Sequence, residues 1–345
     1  MKDTKGCAMV VEGRRKERLD RGIKARTEGL YAINSWREVG YLLIPRAGLI
    51  FALLLAPLIV PGLYWQRVLG LAAVYALLAI SYDFLAERVG LVCIGGAFMI
   101  GVGGYISGSL NYYLGLPAAL TIPIGTLGGA LVCTLLWLPC LPLRGIYFAV
   151  VTFMFPFLAQ SVILAGGLFK GTEGLSPVRG FPNTWVGVYL IVVIVLVAIF
   201  GLRRLCGEDI GLVFAGIKDN DQAVLASAVN ITRVKVYALF VATLIGCFAG
   251  AFVSHFSGFA GLSLFAVDFT IMPIAATIMG GPGTLAGPAL GAFILAPLSE
   301  ALRGFGQLRV VLYCFVLIGF ILFKPEGLLN WASRKYHQFE HWVKV

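Results

Sequence analysis

From Trp185 to Leu202 the chain runs 18 residues without a charge, rich in Val and Ile, and stops at Arg203-Arg204. Wound as a helix at about 1.5 Å per residue, that run is close to the roughly 30 Å of a bilayer's hydrocarbon core. No water there can satisfy backbone N–H and C=O groups, so a spanning segment must be a helix or part of a closed barrel. Barrel strands would be shorter and would alternate apolar with polar residues, and no such segments occur. Further apolar blocks fall at roughly 47–64, 67–85, 90–114, 118–140, 234–256, 267–279, 289–303 and 308–323. The fold class expected is all-α, a polytopic membrane protein with about ten transmembrane or re-entrant helices.

Composition agrees with that reading. Hydrophobic residues make up 59% of 345 positions and charged residues 13%, about half the charged share of a soluble domain, and the mean hydropathy is +0.90. The net charge of +10 reads as topology rather than as an affinity for nucleic acid, because no aromatic-basic interleaving accompanies it. The first 46 residues, Arg88, Arg144, the segment 203–235 and the residues from Lys324 to the C-terminus together hold 22 of the 27 Lys and Arg. Placing these on the cytoplasmic side leaves Arg67, Lys170, Arg179, Arg303 and Arg309 outside, in the sense of the positive-inside rule. The domain plan expected is a cytoplasmic N-terminal tail (1–46), a permease domain (47–324) with a cytoplasmic loop at 203–235, and a cytoplasmic or interfacial tail (325–345). The tail begins polar and reaches its first apolar run only near Tyr41, which does not fit a cleavable signal peptide.

Chemistry-bearing constellations are sparse. The seven cysteines form no CxxC pair and mostly lie inside apolar runs, so neither a disulfide nor a metal is expected. His337 and His341 have an i, i+4 spacing but no third ligand. There is no GxSxG or HExxH, and no carboxylate pair is found, which argues against a membrane-embedded enzyme. No GxxxxGK[ST] occurs either, so the chain is not expected to hydrolyse ATP, and no cofactor is expected. An ion-coupled secondary transporter would carry ionisable groups inside its helices. Only Asp268 and Glu300 come near, both toward the outer face.

The stretch Glu208–Phe256 stands apart. Val213, Phe214, Ile217, Val224, Leu225 and Ala228 fall at helical three- and four-residue spacings, with Lys218-Asp219-Asn220-Asp221-Gln222 turned away. This predicts a surface helix over about 210–229, ended near Asn230, with Thr232 capping an apolar helix from Val234. Glycines crowd two other places: Gly90, Gly95, Gly96, Gly101, Gly103 and Gly104, and then Gly280, Gly281, Gly283, Gly287 and Gly291. Such clusters let helices approach closely or break, and both occur at transport sites. The tail residues Leu328, Trp331, Lys335, Phe339 and Trp342 share a face suited to the membrane interface.

Several segments resemble the LivM-type permeases of branched-chain amino acid ABC importers. Ile217-Lys218-Asp219-Asn220-Asp221 with Asn230-Ile231-Thr232-Arg233-Val234-Lys235 looks like that family's cytoplasmic loop, with Leu225 and Ala228 where a glutamate and a glycine are usual. The glycines at 90, 95, 101 and 103 and Tyr105 match a GQxSxGHAAFxGxGAY pattern, in which Leu91, Cys93 and Gly96 replace Gln, Ser and His. The segment 141–152 looks like LRLRGxYFAxVT, 171–176 like GGTNGLS, 280–291 like GGxGTLxGPxxGA and 323–329 like FRPQGLL.

The resemblance implies half of the translocation path of an ATP-driven importer, working by alternating access in a bacterial inner membrane. It further implies a second, LivH-type permease, two ATP-binding cassette subunits and a periplasmic substrate-binding protein as partners, besides membrane lipid. Phe214, Ile217, Lys218, Asp219, Asn220 and Asp221 would couple to the ATPase, with Phe214 and Ile217 as anchors in its groove. Gly95, Gly96, Gly101, Tyr105, Tyr147 and Thr152 are candidates to line the path, with tight helix packing as the alternative use of the glycines. Related permeases of this kind carry urea or short amides, so the substrate within the class stays open here.

Overall fold

A computed structural model of the chain describes residues 62–332 apart from 144, 182, 228, 306–307 and 324–325. The expected N-terminal tail, the first apolar block to position 61, Arg144 and the tail beyond 332 lie outside the described residues. Within them the regular structure is helical, and the only strand-like pairing is one isolated bridge, Leu175 with Ala260. The helices are α1 (Leu63–Asp83), α2 (Gly96–Leu114), α3 (Ala118–Trp137), α4 (Ile146–Gly166), α5 (Thr184–Gly207), α6 (Asp209–Asp219), α7 (Asp221–Ala226), α8 (Ile231–Ser257), α9 (Asp268–Gly280), α10 (Ala286–Ala301) and α11 (Leu308–Phe323). A π-helical turn, Phe84–Val89, continues α1.

Among the described residues six stretches are long and apolar enough to cross a membrane: Leu63–Val89, Ala118–Cys140, Ile146–Gly166, Thr184–Gly207, Ile231–Ser257 and Leu262–Gly280. This makes the chain a multi-pass, all-α membrane protein. α1 and α8 are the most enclosed, whereas α4 and α5 turn most of their surface outward. α8 packs against α2 and α3, and α1 against α10, α5 and α9. Lipid is as apolar as leucine, so helix association in a membrane rests on close packing and interhelical hydrogen bonds. Both are present. A Cβ on Gly103 would lie 2.3 Å from the Cys247 carbonyl oxygen, and one on Gly250 would lie 2.2 Å from that of Ile100, so α2 and α8 touch backbone to backbone. Thr134 and Thr243 join hydroxyls at 3.1 Å, Ser81 donates to the Ala242 carbonyl at 2.9 Å, and Thr277 donates to that of Ala79 at 3.3 Å.

The expected helix over 210–229 is instead two helices. Asn220 is extended (φ −159°, ψ 103°), and its side chain accepts from the Gln222 N–H at 2.9 Å, ending α6 and capping α7. An asparagine side chain that can cap competes with continued helix, and here it wins over the apolar periodicity. The next boundary also differs from expectation. Asn230 caps α8 by accepting from the Arg233 N–H at 3.1 Å, so the helix begins at Ile231 and Thr232 lies inside it. Asn230 itself is extended (φ −78°, ψ 96°) rather than left-handed.

Contacts of charged side chains gather at the two ends of the bundle. At one end Tyr64 donates to Glu300, which also pairs with Arg303 at 2.8 Å, and Lys170 donates to the Tyr112 hydroxyl at 2.6 Å. That hydrogen bond holds the Lys170 ammonium above the usual lysine range. At the other end lie α6, α7, the π turn and the loop between α9 and α10.

Candidate functional site

At the α6 end of the bundle the π turn forms a seat. Phe214 of α6 is 1% exposed and meets Phe84 edge to face, with centroids 5.7 Å apart. Ile217, one turn on, is buried beside it. Lys218 reaches back to Glu87, donating to its carbonyl at 2.8 Å and to its carboxylate at 2.9 Å. Gly90 makes room for this approach, since a Cβ there would lie 3.0 Å from the Lys218 Cα. Asp221 pairs with Lys235 at 3.0 Å, fastening α7 to the first turn of α8.

Phe214 and Ile217 are therefore not available as anchors in another protein's groove. Their apolar face is used inside the chain, where it holds α6 on the bundle. The outward face of this elbow is made by Leu212 (75% exposed), Leu225 (56% exposed), Asp219 and Asn220. Leu212 is two residues from Phe214, about 200° around a helix, which puts it on the opposite side.

The second constellation lies where two helices start inside the bundle. After the π turn six non-helical residues, 90–95, precede α2. N–H groups on either side of the helix start find side-chain acceptors on other elements: Thr152 Oγ1 accepts from Ile94, just before α2, at 3.1 Å, and Thr270 Oγ1, in the first turn of α9, accepts from Ala97 at 3.1 Å. Gly95 packs on Trp137 and Gly96 on the Phe269 carbonyl, where Cβ atoms would fall 2.4 and 2.7 Å away. A cavity of about 20 Å³ remains beside Gly96, lined by Ser81, Tyr82, Cys93 and Thr270 among others. It has room for roughly one water. Further along α2, Gly101 lies against the Phe265 ring, and buried Tyr105 stacks on the same ring at 5.6 Å. The Tyr105 hydroxyl has no hydrogen-bond partner among the described residues.

Gly95, Gly96 and Thr152 thus come together, and Gly101 and Tyr105 share Phe265 further along α2, roughly one and a half and two and a half turns from Gly96. Tyr147 does not join them. It is 71% exposed on the outer surface of α4, because five residues separate it from buried Thr152 and carry it about 140° around the helix.

Two buried polar residues escaped the sequence reading. Asp83 is fully buried and binds the α9–α10 loop, its two oxygens accepting from the N–H groups of Gly283 (2.6 Å) and Leu285 (3.1 Å). Its partners lie about 200 residues away, so no local signal announces them. His255 is 1% exposed near the far end of α8, with Nδ1 2.8 Å from the Arg179 carbonyl. A carbonyl can only accept, so Nδ1 carries the proton and Nε2 accepts from the hydroxyls of Thr121 (2.8 Å) and Ser107 (3.0 Å). This ties α2, α3, α8 and the loop before α5 together at a depth where an unmade hydrogen bond is costly. Among the described residues no group of three or more His, Cys, Asp or Glu is placed to hold a metal ion.

A family model described as the permease component of the branched-chain amino acid transport system matches residues 64–323. The chain is similar to the high-affinity branched-chain amino acid transport system permease protein LivM of Salmonella typhimurium, 23% identical over 287 residues that cover 74% of this chain and 68% of that protein. It is likewise similar to the LivM of Escherichia coli, 23% identical over 290 residues covering 75% and 68%. A probable branched-chain amino acid transport permease protein LivM of Methanocaldococcus jannaschii is 26% identical over 118 residues, 34% of each chain. No solved structure matches.

Proposed function

Because the chain belongs to the family of permease components of branched-chain amino acid transport systems, we propose that it forms half of the translocation path of an ABC importer in a bacterial inner membrane and is driven through the α6–α7 elbow. Its partners are a second permease of the LivH type, two ATP-binding cassette subunits and a periplasmic binding protein. The elbow lies on the cytoplasmic side, in keeping with the 22 basic residues assigned there. The path runs past the starts of α2 and α9, where Gly95, Gly96 and Thr152 meet. The space beside Gly96, about 20 Å³, is far too small for a branched-chain amino acid, so no passage is open at this point. Alternating access requires that these helix starts separate when the ATPases act.

The observation that carries the coupling reading is the division of α6 into two faces. One is spent on Phe84 and Glu87, and the other presents exposed Leu212 beyond the bundle. An element held firmly on one side and apolar on the other suits a groove in a partner. Truncating a central interface anchor costs about 2 kcal/mol or more, so Leu212→Asp with Leu225→Asp should release the ATPase subunits during purification while membrane yield holds. Phe214→Asp should instead lower the yield of the permease itself, because it buries a charge against Phe84. Full retention of the ATPases by the double variant would remove the elbow from the coupling interface.

A further inference from the structure

The aromatic, ionic and hydrogen-bonded contacts that join α6 to the π turn, and one end of what fastens the α9–α10 loop, lie within the eight residues 83–90, while α6 also packs on α5 and α8. Phe84 receives Phe214, Glu87 receives Lys218, and Gly90 leaves room for the Lys218 backbone. One residue earlier, Asp83 sends both carboxylate oxygens the other way, to Gly283 and Leu285. Arg88 adds a hydrogen bond to the Gly283 carbonyl at 2.5 Å. The loop so held has internal hydrogen bonds through Thr284, to the Gly281 carbonyl and from the Gly287 N–H, but one of its residues sits in a conformation that needs outside support. Leu285 has φ 59°, a left-handed conformation that side chains other than glycine rarely adopt and that persists only where surroundings impose it. Downstream, α9 carries Thr270, whose hydroxyl accepts from Ala97 at the start of α2, and Phe269, whose carbonyl abuts Gly96.

We propose that Asp83 is a positioning residue for transport, the joint through which displacement of α6 is passed to the Gly283–Leu285 loop and so to α9 and the closed helix starts at Gly96. This rests on the reading of α6 as the driven element. The π turn and α6 move as one piece, joined by an aromatic contact and an ion pair. Asp83 converts that movement into a pull on two backbone amides, whose alternative acceptors are few in a buried site. A carboxylate suits the task better than an amide would, because a charge-assisted hydrogen bond is roughly twice as strong as a neutral one and both of its oxygens accept.

The test uses the complete transporter, reconstituted with its ATPase subunits, second permease and binding protein. Asp83→Asn keeps the shape but leaves one loop amide facing an NH₂ group. The expected result is normal recovery of the ATPase subunits, ATP hydrolysis retained, and about tenfold less branched-chain amino acid moved per ATP, the loss expected from one charge-assisted hydrogen bond. A general loss of stability would lower hydrolysis and transport together and leave the ratio unchanged. A normal ratio, or loss of the ATPase subunits from this variant, overturns the proposal. A normal ratio with the ATPase subunits retained leaves the docking of α6 untouched, and the Leu212 and Leu225 variants test that docking separately. Should Asp83→Asn fail to reach the membrane, Glu87→Cys with Lys218→Cys decides the matter when bridged by a short bis-thiosulfonate. Two elements that move as one piece tolerate the bridge and transport continues, whereas arrest of transport on bridging overturns the proposal.

Discussion

Gly103 lies where α2 crosses α8, and a methyl group there would fall 2.3 Å from a backbone oxygen that cannot swing aside. Gly128, on α3, would place the same methyl 3.6 Å from Ile106, an ordinary contact. Overpacking a filled site costs about 1–3 kcal/mol, whereas alanine for glycine in an open helix position favours the helix by roughly 0.5–1 kcal/mol. Gly103→Ala should therefore melt several degrees below the parent in detergent, and Gly128→Ala at or above it. Equal melting temperatures would mean that the α2–α8 crossing is looser than described. Both residues sit in glycine-rich helices, and neither looks different from the other in the chain. Only the neighbouring helix distinguishes them.

Asn220 decides how the α6–α7 elbow is built. Its side chain caps α7 while its own N–H, bonded to the Gly216 carbonyl at 2.9 Å, closes α6. Removing an N-cap of this kind costs about 1 kcal/mol, so Asn220→Ala should speed amide hydrogen exchange through 221–224 roughly fivefold. Exchange in α6, pinned by Phe214 and Lys218, should stay as it was. Unchanged exchange in α7 would show that the Asp221–Lys235 pair, not the cap, holds it. The amphipathic spacing of Phe214 and Ile217 revealed that one face of this segment is apolar. It did not reveal whether that face meets a partner protein or the chain's own π turn, because an apolar stripe is the same stripe whichever surface covers it.

Among the described residues the charged pairs named above fall into two separated sets, and this makes the topology of the bundle testable. Lys170, Glu300 and Arg303 belong to one end, and Glu87, Lys218 and Asp221 to the other. A cysteine at Thr172 should react with an impermeant maleimide in intact cells, and one at Asp219 only after the membrane is opened, on a background without other reactive cysteines. The reverse pattern would invert the assignment of sides. Long uncharged runs such as Trp185–Leu202 were sufficient for the all-α, membrane-spanning class, since a bilayer leaves a backbone only the helix or the closed barrel, and barrel strands are shorter and alternate. The family, too, was legible from short motifs, because their residues are contiguous.

Contacts between distant segments were not legible in the same way. The bond from Asp83 to Gly283 joins positions 200 residues apart, and the His255 cluster gathers residues from four elements. Tyr147 and Thr152, near neighbours in one motif, part company around a helix. Periodicity and composition register what each segment needs from its surroundings: an apolar neighbour, an acceptor, a close approach. Which segment supplies it depends on how the helices pack, and the spacing of residues along one chain carries no term for that.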